Sequence, residues 1–273
     1  MCNNMIRVGF HFMVALIASM LPLASHAQSV NDWRGQATLY GWFPSISGKT
    51  SFPSTGNGPP SIDVDADDII GDLNGAFMGA LEFQRGRWGL LIDAIYFNID
   101  GSASGTRNAT IGRQALPVGA TLNANLEIKS WVWTTAGTYS VIATPEHSMQ
   151  LLAGARYLDV EETLGWQFNG NLGALPLAAS GSSRVEDSFW DGIIGVKGRA
   201  SFGANREWFV PYYVDIGTGQ SDFTWQGLIG IGYQFNWGAV TAAWRYLDYE
   251  FDSGKSIESL NANGPMIGVT FRW

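Results

Sequence analysis

The 273-residue chain is 46 % hydrophobic and 13 % aromatic but only 15 % charged, and its 24 acidic and 16 basic residues leave a formal net charge of −8. That acidity, without any cluster of Lys and Arg, excludes a nucleic-acid-binding face. Beyond the N-terminal segment no stretch reaches the about 18 to 20 consecutive apolar residues of a membrane-spanning helix, so the apolar surface has to be spread over short segments.

The N-terminal segment reads as an export signal. "MCNNMIR" carries one Arg, "VGFHFMVALIASMLPLA" is an apolar core interrupted late by Pro22, and Ser25-His26-Ala27 places small residues where a signal peptidase reads them. Cleavage is expected after Ala27, dividing the chain into a signal peptide, 1–27, and a single domain, 28–273. Cys2, the only cysteine, leaves with the signal, so the mature chain has neither disulfides nor thiol chemistry.

A first strand is expected near 36–50, followed by a long acidic connection, "SIDVDADDIIGDLNG". Asp63, Asp65 and Asp67 alternate as in a calcium loop. The sixth position, however, is Asp68 where Gly should turn the chain, and the twelfth is Asn74 rather than a bidentate Glu. The segment is no EF-hand; a solvated acidic loop is favoured over weak divalent-ion binding, and no firm metal site or cofactor is expected.

Beyond it, period-two alternation recurs. Phe77, Gly79, Leu81 and Phe83 share a face, then Trp88, Leu90, Ile92, Ala94 and Tyr96. Trp88 to Tyr96 spans about 20 Å at a tilt of ~40°, close to the ~25 Å apolar band of a membrane barrel. Between 121 and 129 the apolar positions are Leu122, Leu126 and Ile128, whereas from 131 they change parity to Trp131, Trp133, Tyr139 and Val141, which suggests a β-bulge near Ser130. Further faces follow from Met149, Leu151, Ala153, Ala155 and Tyr157; from Trp190, Ile194 and Val196; from Trp208, Val210, Tyr212, Val214 and Ile216; and from Val240, Ala242, Trp244 and Tyr246.

"FTWQGLIGIGYQF" is the clearest: the odd positions 223–235 are aromatic at both ends and aliphatic or Gly between, while the even positions are polar or small. Such aromatic ends fit a strand crossing a bilayer between two interfacial girdles. The opposite faces carry Glu82, Asp93, Arg156, Asp191, Asp215 and Arg245, which hydrocarbon would not accept. These six are the candidate lumen-lining residues.

The connections alternate between long and short: 51–74, Arg85-Gly86-Arg87, 101–120, 144–148, 169–184, then 201–207, 218–221, 235–238 and 252–263. With the short Arg85 turn on the periplasmic side, nearly all obey the short-inside, long-outside rule of outer-membrane barrels. The fold expected is therefore all-β: a transmembrane antiparallel up-and-down β-barrel of ten strands, with eight or twelve as alternatives.

The last strand places Pro265, Ile267, Val269, Phe271 and Trp273 on one face. Gly268, Phe271 and the terminal Trp273 resemble the C-terminal signal by which such barrels are recognised by their assembly machinery, although Met266 stands where that pattern prefers a polar residue. More broadly, "RGRWGLLIDAIYFNI", "LLAGARYL", "SDFTWQGLIGIGYQF" and "WRYLDYEF" resemble a largely uncharacterised branch of the small proteobacterial outer-membrane barrels grouped with the OmpA-like and OmpW-like transmembrane domains. The resemblance covers most of the mature chain and implies a fold and an outer-membrane location. It implies outer-membrane lipid, lipopolysaccharide and the barrel-assembly machinery as partners, and brings no catalytic or ligand residues with it.

Two acidic groups lie where strands are expected to emerge outside: Asp159, Glu161 and Glu162, and Asp248, Glu250 and Asp252. Ten-stranded outer-membrane proteases place paired carboxylates and a His at that rim. Here His11 and His26 go with the signal and His147 falls in a turn on the other side, so no His can activate a serine or water at the rim. The expectation is a monomeric barrel, not an enzyme, acting as a narrow pore for small solutes or as a closed structural or surface-interaction protein; hydrolysis by rim carboxylates ranks third. A lumen plugged by paired charges is favoured over a passage, with the inward Gly230 and Gly232 leaving room for the latter.

Overall fold

The computed structural model describes residues 32–50, 61–64, 73–105, 110–111, 114–115, 121–172, 175–252 and 257–273. The expected signal peptide lies outside them, as do Asp65 and Asp67 of the acidic connection.

The described residues contain strands and no helix. They begin with β1 (Trp33–Trp42), β2 (Ser45–Thr50) and β3 (Ser61–Val64), followed by β4 (Leu73–Arg85) and β5 (Trp88–Gly105). Two two-residue strands, β6 (Thr110–Ile111) and β7 (Gln114–Ala115), pair only with each other. Then come β8 (Thr121–Ala143), β9 (His147–Leu172), β10 (Leu175–Phe202), β11 (Trp208–Gly219), β12 (Phe223–Gln234), β13 (Gly238–Glu250) and β14 (Ile257–Arg272). β1, β4, β5 and β8 to β14 pair antiparallel in sequence order and β14 returns to β1, so ten strands close a barrel. β2 continues β1 along β14 after a break at Phe43-Pro44, and β3 folds back on β2. Closure leaves no open edge around the ring. At its seam Gly35 and Trp273 exchange two backbone hydrogen bonds of 3.0 Å.

The outer face is a belt that water would not tolerate. Exposed aliphatic side chains, among them Leu90, Leu151, Ile194, Val214, Ile229 and Ile267, run between two rows of touching rings. At the end carrying the short turns, Trp88 meets Tyr139 (4.8 Å), Trp208 meets Tyr233 (5.0 Å), and Trp237 meets both Phe235 (5.4 Å) and Phe271 (5.7 Å). At the other end, Tyr96 meets Trp131 (4.5 Å), Tyr157 meets Trp190 (4.8 Å) and Trp225 meets Tyr246 (4.5 Å). Two aromatic rows flanking an aliphatic band are the exterior of a membrane barrel.

Two connections and one strand differ from the sequence expectation. Of the expected connection 252–263, the part from Ile257 onward is ladder, where β14 pairs with β13 and with β2. The segment 169–184 is mostly ladder rather than loop: β9 and β10 pair without interruption from Leu172↔Leu175 down to His147↔Ala200. β10 has 28 residues and its neighbour β11 only 12. At about 3.3 Å rise and ~40° tilt, β10 therefore stands roughly 40 Å higher on the loop side. Nor is there a bulge near Ser130. The β5–β8 ladder is unbroken there, and the only shift between β8 and β9 falls between Ser140 and Ile142. The parity change has another cause: Ile128 and Val132, on the even face, are buried inside the barrel, while Trp131 and Trp133 face out. Above the aromatic row the lumen is apolar and the outside wet, so the pattern inverts while the strand runs straight.

Candidate functional site

Because side chains alternate along every strand, ten inward faces meet in one lumen, and its contents change with height. At the turn end it is an open cavity of about 840 Å³. Low on its wall Glu82 on β4 pairs with Lys197 on β10, and Asp93 and Arg245 form its ceiling. Gln84 donates to Ser140 (2.8 Å), and Thr38 bonds Thr270 across the closing seam (2.8 Å).

Above the cavity lies a charged layer. Arg245 on β13 is its hub: it donates to Asp93 on β5 (2.7 Å), to the Tyr40 hydroxyl on β1 (2.8 Å) and to Gln226 on β12 (2.8 Å). Tyr40 in turn donates to the other Asp93 oxygen (2.6 Å), and the Arg245 guanidinium lies 5.2 Å from the Trp42 ring centre. Inward positions of three other strands, β1, β5 and β12, thus converge on one cation. A second pair, Arg156 on β9 with Asp215 on β11, is wholly enclosed, and Arg156 also donates to Thr134 (3.3 Å). Asp191, 2 % exposed, accepts from the backbone N–H of Ser221 (2.9 Å) and so ties β10 to the β11–β12 turn.

Higher still, at and above the upper aromatic row, the lumen is filled by an apolar cluster that includes Trp42, Ile95, Phe97, Leu158, Phe189 and Phe251. Ile95 and Leu158 are 0 % exposed, and the Phe189 and Phe251 rings are 4.2 Å apart. The room expected at the inward glycines is taken. A Cβ on Gly232 would fall within the Phe209 ring, and one on Gly230 would fall on Ala242 and Ala243 of β13.

All six lumen candidates point inward, in two groups. Asp93 with Arg245, and Arg156 with Asp215, form the charged layer together with Asp191, whereas Glu82 lies lower on the cavity wall beside Lys197. Tyr40, Thr134 and Gln226 also belong to that layer, and nothing in their local sequence marks them out; their strand parity alone was available. The apolar filling shows in the sequence only as the parity change between Ile128 and Trp131, for the reason given above. Gly268 faces inward opposite Tyr40, Phe271 contacts Trp237, and the Trp273 ring covers Gly35 on the outer face.

The acidic groups do not converge. Asp159 and Glu161 face out from β9 while Glu162 is buried inside. Asp159 accepts from Tyr157 (3.1 Å), Glu161 pairs with Arg184 (2.9 Å), and Asp248 accepts from Asn261 (2.7 Å). Asp63 falls in β3; the rest of the alternating aspartates lie outside the described residues.

No family model matches the chain, and no curated protein sequence does. Among solved structures it is similar to the outer membrane protease OmpT from Escherichia coli, with a TM-score of 0.56 and 9 % identity over 91 % of this chain and 99 % of that one. Looser matches are the translocator domain of the autotransporter NalP from Neisseria meningitidis (TM-score 0.40, 12 % identity, 98 % and 95 % covered) and the attachment invasion locus protein Ail of Yersinia pestis (TM-score 0.30, 9 % identity, 89 % and 99 % covered). The likeness to OmpT shows a shared fold, that of outer-membrane β-barrels, and no shared chemistry.

Proposed function

We propose that this chain is an integral, monomeric barrel of the bacterial outer membrane, closed to solutes, that serves as a structural and surface-interaction protein. The turn end would face the periplasm and the tall β8–β10 sheet the exterior. One observation carries the closed reading: across the lumen, Arg156, Asp191 and Asp215 are at most 2 % exposed and lie directly beneath a packed apolar cluster. A solute crossing there would have to break buried ion pairs, each break costing about 3–5 kcal/mol, and then displace close-packed side chains. The aliphatic belt and the paired aromatic rows support insertion among lipid and lipopolysaccharide. The closing strand's Gly268, Phe271 and Trp273 support recognition by the assembly machinery, and the sequence resemblance to the OmpA-like and OmpW-like group agrees with that location. No catalytic role is assigned, since the rim carboxylates are dispersed over both faces of the sheet.

The narrow-pore reading draws on the 840 Å³ cavity, which opens the turn end of the path. Reconstitution in planar bilayers separates the two. The purified protein is expected to give no discrete conductance steps over many insertions, and reproducible steps would overturn the closed reading. Resistance to alkaline carbonate extraction tests membrane insertion independently.

A further inference from the structure

We infer that the turn-end cavity is a binding site for a phosphate group, built on Arg199 and Arg272. Both arginines face the lumen, from β10 and β14, and both donate to the same neutral acceptor, the Gln234 side-chain oxygen on β12, at 3.3 Å for Arg199. Gln234 is held for this by its own amide, which donates to the backbone carbonyls of Phe235 (3.0 Å) and Gly238 (2.7 Å). Two guanidinium groups, ten N–H donors between them, thus share one carbonyl oxygen.

Neither has an ion-pair partner among the described residues, and nor does Arg34, which lines the same cavity. The cavity's two side-chain carboxylates are both engaged elsewhere, Glu82 with Lys197 and Asp93 with Arg245. Three cationic side chains therefore outnumber the one remaining negative charge at the cavity, the α-carboxylate of Trp273, in a chain whose formal net charge is −8. Two like charges at one point repel, by about 1 kcal/mol where water reaches them as at Arg272, and an anion between them turns that repulsion into attraction. A tetrahedral phosphate, with several acceptor oxygens and up to two charges, matches two planar donor forks better than a halide or a single carboxylate does. The cavity's 840 Å³ is far more than one phosphate fills, so a phosphate monoester with an organic portion fits as readily as the free ion.

Calorimetric titration of the intact barrel in a maltoside detergent at low ionic strength tests this, with inorganic phosphate and glycerol phosphate as separate probes and chloride at matched ionic strength as the comparator. Saturable binding of either phosphate below about 10 mM is expected, and the tighter of the two identifies the source of the group. R199Q and R272Q should each weaken it about 10- to 100-fold. E82Q, which frees Lys197 and removes a negative charge, should strengthen it, and so keeps the test alive if an arginine variant fails to fold. Absence of saturable binding, or binding unchanged by all three substitutions, or chloride binding as well as phosphate, would overturn the inference. It needs only the cavity, so conductance steps that defeated the closed-barrel reading would leave it standing.

Discussion

Replacing Arg245 with Met keeps much of the side-chain volume and removes the charge at the centre of the upper lumen. The substitution deletes the 2.7 Å ion pair to Asp93, the 2.8 Å bonds to Tyr40 and Gln226, and the cation–π contacts with Trp42 at 5.2 Å and Tyr40 at 5.7 Å. Asp93, 7 % exposed, would keep only the Tyr40 hydroxyl at 2.6 Å. An ionised carboxylate stranded in that way costs about 3–5 kcal/mol. Asp93→Asn alone strands the guanidinium instead and should cost a similar amount. The double variant R245M/D93N removes both charges, so its loss should fall short of the summed single losses by at least about 1.5 kcal/mol. Urea unfolding from lipid vesicles, followed by the fluorescence of the girdle tryptophans, measures all three. Additivity within about 0.5 kcal/mol would mean that each charge is separately hydrated, and the sealed layer would then not exist.

Gly232→Leu should destabilise the barrel by about 1–3 kcal/mol, because the new side chain has to evict the Phe209 ring; a stability at or above that of the unaltered protein in the same urea assay would show that the space is free. Trp273→Ala removes the ring that covers Gly35 beside the closing hydrogen bonds. It should slow closure more than it lowers final stability, read as a delayed shift to the compact, heat-modifiable band on gels during refolding into vesicles. Replacing 170–177 by a two-residue Asn-Gly turn should leave the unfolding free energy within about 0.5 kcal/mol, because there β9 and β10 pair only with each other, the ladder of β9 to β8 having ended at Thr121↔Asn169 and that of β10 to β11 at Asp191↔Gly219.

The barrel itself was legible because hydrocarbon imposes a strict code. Every strand that crosses it must alternate, so Trp88 to Tyr96 or Phe223 to Phe235 could be read from sequence with the correct outward face. Outside that band the code lapses. Ile128 and Val132 face inward to the apolar filling, and with water outside, the same strand shows its greasy residues on the opposite parity. The missed length of β9 and β10 has a similar root: above the membrane, Ser- and Gly-rich sequence such as "ASGSSR" has nothing apolar to alternate against, yet still forms a ladder. Of the lumen, parity gave which charges point inward, but not which pair. Arg245 meets Asp93 across 152 residues, and Arg199 and Arg272 meet at Gln234, only because the ring closes.

That closure also gives the buried charges a purpose independent of conduction. A slip of one residue in any ladder turns a strand's inner face outward. Glu82, Asp93, Arg156, Lys197, Asp215 and Arg245 sit on six different strands, β4, β5, β9, β10, β11 and β13. A slipped β9 or β13 would expose Arg156 or Arg245 to hydrocarbon at about 2–4 kcal/mol each, and would strand Asp215 or Asp93 as well. An all-aliphatic lumen would fill the same volume without that penalty, and would tolerate either register nearly equally. The paired charges therefore select one alignment of the sheet, and the apolar cluster above them, which is indifferent to direction, supplies the packing once that alignment is set.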